Sequence, residues 1–123
     1  MAISQRKSRL SSSGAFYRPF RKKRKSELGR ESLYPKLGSR KLKAERVLGG
    51  NLKWKLFSAD TVNVVKAGKS QTLKIKNVVS NPANPNFARR NILTKGSVVD
   101  TEQGKVRITS RPGQHPVING VFV

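Results

Sequence analysis

The chain has 123 residues, 27 of them Lys or Arg and only 6 Asp or Glu, for a net charge of +21 and a pI near 11.6. There is no cysteine, which excludes disulfides and thiolate metal sites, and one histidine with six scattered carboxylates is a poor donor set for structural zinc or calcium. So large an excess of one sign opposes compaction until a polyanion neutralises it, and a solvated face would mix both signs.

The opening residues Met1 to Lys7 hold no apolar centre of a secretory signal, and no apolar run approaches the ~20 residues of a membrane span. The basic segment also lacks a clean apolar stripe for lying on lipid. Nucleic acid is therefore the expected anion, with no membrane partner. Fifteen of the first fifty residues are Lys or Arg, among them the run Arg21 to Lys25. Such a stretch buries too little apolar surface to offset its ordering entropy alone, so residues 1–40 read as a largely extended basic arm that orders on RNA.

Within the arm, Phe16, Tyr17 and Phe20 lie among Arg18, Arg21 and Arg24, and Pro19 interrupts any helix. Aromatic and guanidinium planes stack on unpaired bases while cations meet phosphates. The plainer alternative docks the aromatics on the protein's own surface. The candidate RNA contacts here are Arg6, Lys7, Arg9, Phe16, Tyr17, Arg18, Arg21, Lys22, Lys23, Arg24, Lys25, Arg30 and Arg40. Glu27 and Glu31, four apart, allow a short helix over Lys25 to Glu31 that Gly29 weakens. As an acid/base pair they fail, because nearby cations push a carboxylate's pKa down, not up.

From residue 41 the pattern becomes short alternating segments rich in Val, Ile, Leu and Thr. Leu42, Ala44 and Leu48 mark one; Leu52, Trp54 and Leu56 alternate with Lys53, Lys55 and Phe57; Val62 and Val64 follow. Beyond the turn Lys66 to Lys69 come Leu73, Ile75, Val78 and Val79, then Val98 and Val99, then Val106 and Ile108 after the turn Glu102 to Gly104, and last Val117 to Val123. Six or seven strands at roughly ten-residue spacing predict an all-β domain over 41–123, a small antiparallel barrel whose closure removes exposed edges.

Candidate contacts in the domain are Lys41, Lys43, Arg46, Gly49, Gly50, Asn51 and Lys53, then Arg89, Arg90, Asn91 and Lys95, and finally Arg111. Gly49 and Gly50 suit either a tight hairpin or close approach of a phosphate. Asn81 to Asn86, with two prolines, cannot be a central strand and opens a long loop that runs to Gly96 and carries the two arginines. Gly68-Lys69-Ser70 ends like a P-loop, but Asn63 stands where the first glycine is needed and a strand follows instead of a helix. His115 is alone, which leaves a turn residue and no acid/base or nucleophile pair.

Several of these motifs occur in an order that resembles the S8e family of small-subunit ribosomal proteins. They are Arg21 to Lys25 followed by Glu27 to Glu31; Arg46 to Lys53; Asn81 to Pro85 with Arg89 to Asn91 and Thr94 to Gly96; and Thr109 to Gln114. The resemblance runs from about Ser4 to the C-terminus, in the short form without the eukaryotic insertion. It implies a compact β-barrel with an RNA-embedded arm, and as partners small-subunit rRNA and neighbouring small-subunit proteins in the cytoplasmic ribosome. One departure is that His115-Pro116 stands where the family tends to place Asp-Gly. The expected function is a non-catalytic structural constituent with no cofactor and no small-molecule substrate. The rivals are a free RNA or DNA chaperone and a basic ribonuclease, the second needing an acid/base pair that the chain does not supply.

Overall fold

The computed structural model describes Ile3 and residues 7–123; Arg6 lies outside the described residues. The chain divides into two compact units, Met1–Ser32 and Leu33–Val123.

In the first unit no described residue is buried. The backbone is not uniformly extended. A small turn closes through Ser11 N–H on the Ala15 carbonyl at 2.8 Å and Tyr17 N–H on that of Arg9 at 2.8 Å, bringing Leu10 opposite Phe16. The helix allowed over Lys25 to Glu31 is one 3-10 turn, Lys25–Glu27. It stops there because Leu28 is extended, with Gly29 following, its N–H on the Ile3 carbonyl at 2.7 Å.

The second unit contains eight strands: β1 (Lys36–Leu37), β2 (Lys41–Arg46), β3 (Leu52–Ala59), β4 (Thr61–Lys66), β5 (Lys69–Ser80), β6 (Val98–Thr101), β7 (Gly104–Ile108) and β8 (Asn119–Phe122). β4 to β8, in sequence order, form a closed five-stranded barrel. Alternation sends Val62, Val64, Leu73, Ile75, Val99, Val106 and Ile108 inward and leaves Lys74, Lys76, Lys105 and Arg107 outside. In β5 the inward phase jumps from Ile75 to Val78, and register shifts on either side of Asn77 and Val78 account for it. An extra residue there bends the strand around the barrel.

Ala67 and Gly68 join β4 to β5 with both φ angles positive, 49° and 77°, as a two-residue hairpin with the strands' own twist requires. The ladders are antiparallel except at the seam, where β4 and β8 run parallel with Asn63 beside Asn119 and Val64 beside Gly120. A Cβ on Gly120 would lie 2.4 Å from Val106 Cγ1 and 3.0 Å from the Arg107 carbonyl, so only glycine lets the strands meet there.

β1, β3 and β2 form a separate three-stranded sheet in that order instead of extending the barrel wall. The reason is visible in β2, where every residue but the half-buried Glu45 is exposed, so this strand has no apolar face to seal a wall. β3 carries the connection. Its last turns place Leu56 and Ala59 in the same apolar core as the barrel residues, and the chain enters β4 after Asp60.

The loop after β5 is tied down instead of solvated. Asn81 is buried, donates to the Ile92 carbonyl at 3.3 Å, and accepts from Ala83 N–H at 3.0 Å and the Thr94 hydroxyl at 2.9 Å. A short helix α1 (Pro85–Arg89) starts with Pro85 in its first turn and Asn84 Oδ1 accepting from Asn86 N–H at 2.9 Å. Ile92 and Leu93 are then fully buried and anchor the return.

Candidate nucleic-acid interface

In residues 7–32 the cations Lys7, Arg9, Arg18, Lys22, Lys23, Arg24, Lys25 and Arg30 have exposed positions. Arg21 differs. Its guanidinium forks onto Glu27, Nη1 to Oε2 at 3.0 Å and Nη2 to Oε1 at 2.5 Å, while Arg24 N–H donates to Oε2 at 3.1 Å. The hydrogen bond to Glu27 raises the Arg21 pKa above its already high ordinary value. Its charge is thus permanent but met locally by a carboxylate. Lys7 sits 4.9 Å above the Tyr17 ring and Arg21 5.1 Å from the Phe20 centroid. Phe16 and Phe20 remain 75% and 80% exposed.

On the three-stranded sheet Lys43 lies directly opposite Lys55, and Glu45 opposite Lys53. Like charges so placed repel, and the strain is relieved by an ion pair between Lys55 and Glu45. Lys41, Lys43 and Arg46 line an edge strand, where lysines also discourage strand addition. Gly49 and Gly50 both have positive φ, 74° and 77°, and Asn51 closes the connection with its amide on the Leu48 carbonyl at 3.3 Å and its own carbonyl taking Val47 N–H at 2.8 Å. That is the hairpin use of the glycines.

Arg89 and Arg90 are exposed at the end of α1. Asn91 is committed internally: at φ 51° its Oδ1 accepts from Val78 N–H at 3.3 Å and its carbonyl from Leu37 N–H at 3.0 Å. Lys95 and Arg111 come together around an open depression of about 500 Å³ with Ser110, His115 and Asn119. A second, of about 380 Å³, is lined by Lys53, Trp54, Arg111, Gln114, His115 and Pro116. Arg40 borders a third, beside Pro116 and Val117. The loop these share is pinned to β3 by Leu56 N–H donating to the Pro112 carbonyl at 3.2 Å. No group of three or more His, Asp or Glu able to hold a metal occurs among the described residues, and none of their helices is long and apolar enough to cross a membrane.

Residues 4–123 match the family described as Ribosomal protein S8e. The chain belongs to the S8e family. It is 46% identical, over all of both chains, to small ribosomal subunit protein eS8 of Methanobrevibacter smithii. With the protein of the same name from Nanoarchaeum equitans it shares 54% identity over 84% of this chain and 83% of the relative, and with that of Methanocella arvoryzae 49% over 97% of each.

For this S8e chain, sequence reasoning picked out Lys53, Lys95, Arg40 and Arg111 one by one, and the fold gathers them around the Thr109–Ile118 loop. Trp54, Gln114 and His115 had not been selected. Trp54 neighbours Lys53 in sequence, and Gln114 and His115 follow Arg111 by three and four residues; what unites them is the contact of β3 with a loop far along the chain.

Proposed function

We propose that this chain is a structural, non-catalytic constituent of the small ribosomal subunit, held there by small-subunit rRNA and in contact with neighbouring subunit proteins. The observation that carries it is membership of the S8e family over nearly the whole chain, joined to a charge of +21. Its setting is then the cytoplasmic ribosome. Exposed cations of the first unit and of the Thr109–Ile118 surface neutralise phosphates that rRNA folding brings close together. Recognition follows shape and unpaired nucleotides, because the deep groove of A-form RNA hides its base edges. Neutralising six to ten phosphates gives a log–log salt slope of about −4 to −9.

The deciding experiment is sedimentation of tagged chain from cell extract through a high-salt sucrose gradient. A constituent travels with the small subunit, and its rRNA crosslinks map to one defined region. A free RNA or DNA chaperone washes off and crosslinks diffusely, and that result would overturn the proposal.

A further inference from the structure

Phosphate neutralisation alone leaves one feature of the Thr109–Ile118 surface unused. Trp54, the chain's single tryptophan, projects from β3 opposite Ala44, a side chain too small to cover an indole, and is 49% exposed. It lines the depression with Lys53, Arg111, Gln114, His115 and Pro116, and no carboxylate is among the lining residues. The wall opposite the indole is preformed. Gln114 and His115 N–H both return to the Arg111 carbonyl at 2.9 Å, and Pro112, buried, ties the turn to β3.

We propose that this depression receives one unstacked base of RNA, lying on the Trp54 indole, with Lys53 and Arg111 meeting the phosphates on either side. The Gln114 amide, which both donates and accepts, faces the base edge. The proposal rests on the RNA-binding reading above and adds the kind of nucleotide taken. A duplex offers phosphates but keeps its bases stacked on each other, so it can satisfy the two cations and not the indole; an unpaired nucleotide satisfies both. An acidic peptide satisfies the cations and brings no planar ring.

Because Trp54 is the sole tryptophan, its emission reports this depression alone. Full-length chain is titrated with a single-stranded heptaribonucleotide, a blunt RNA duplex of equal phosphate count, inorganic polyphosphate and oligoglutamate, binding being followed independently by sedimentation. The single strand should quench Trp54 saturably, as a base stacked on the indole does, and the other three should bind or not without doing so. Trp54→Leu should weaken single-strand binding about 5- to 150-fold and leave polyphosphate binding unchanged, while Trp54→Phe keeps most of the affinity. Circular dichroism melts verify that each variant is folded. Equal quenching by duplex or polyphosphate, stronger quenching by oligoglutamate, or undiminished single-strand affinity in Trp54→Leu would overturn the base site. Failure to bind any RNA would instead remove the reading beneath it.

Discussion

The two units of this chain are both cationic, the first more densely, and have opposite interiors. Residues 1–32 hold ten cations against two carboxylates, and residues 33–123 seventeen against four, so both are strongly positive. Yet thirteen apolar residues are buried in the second unit, from Leu56 to Ile118, and none among the described residues of the first. The difference lies in where the cations fall. In β5 and β7 they alternate with apolar residues, Lys74 and Lys76 around Ile75, Lys105 and Arg107 around Val106, so a two-residue period sends charge out and hydrocarbon in. From Arg21 to Lys25 they are contiguous, and no face is left to bury. Spacing, together with amount, decides whether a basic sequence can build its own core.

The harshest way to break this contrast is to delete residues 1–32. RNA affinity should fall by roughly 100-fold or more and its salt slope flatten by about 0.7 to 0.9 per lost phosphate contact. The melting temperature of the remaining unit should not change. Filter binding at several salt concentrations, paired with thermal melts, reads both; an unchanged slope would place the phosphate contacts elsewhere.

Leu56→Ala probes the other side. Leu56 is 1% exposed and sits on β3, outside the barrel, yet inside the shared core. Its truncation should cost about 2–5 kcal/mol. Urea unfolding followed by both Trp54 emission and circular dichroism should move as one transition, since sheet and barrel are sealed by the same side chains. Gly120→Ala should be milder, about 1–3 kcal/mol from overpacking against Val106 and the Arg107 carbonyl, read from the same denaturation curves.

The smallest change is expected from Glu27→Gln. It releases Arg21 from its carboxylate, so RNA affinity at low salt should rise about twofold and the gain should vanish near 1 M salt, where charges are screened within about 3 Å. Thermal stability should stay within error, because nothing apolar depends on that pair.

Much of the barrel was legible because alternation is a local signal: Val62 with Val64 and Val106 with Ile108 announce their strands and their inner faces together. The parallel seam was not, since pairing direction leaves no trace in a two-residue period. Nor was the splitting off of β2 and β3. Leu42 and Leu52 read like core residues, and only the absence of a covering layer leaves them 40% and 57% exposed. β1, two residues long, lies below any pattern. Among candidate contacts, exposed cations were legible because charge alone keeps them at the surface. The structural part played by Asn91 was not legible: its left-handed backbone and its bond to Val78 N–H make it a joint, which a polar residue beside two arginines does not announce. The meeting of Trp54 with His115 depends on where β3 packs, which no window of sequence contains.

The seam between β4 and β8 also sets a timetable. Asn63 and Val64 wait for Asn119 and Gly120, so during translation the wall stands open until the last of its five strands has left the exit tunnel. The cations at Arg9 to Arg30 emerge some ninety residues earlier, several seconds ahead at about 5–20 residues per second. Capture of the nascent chain by nucleic acid can therefore begin before the domain it will deliver has finished being made.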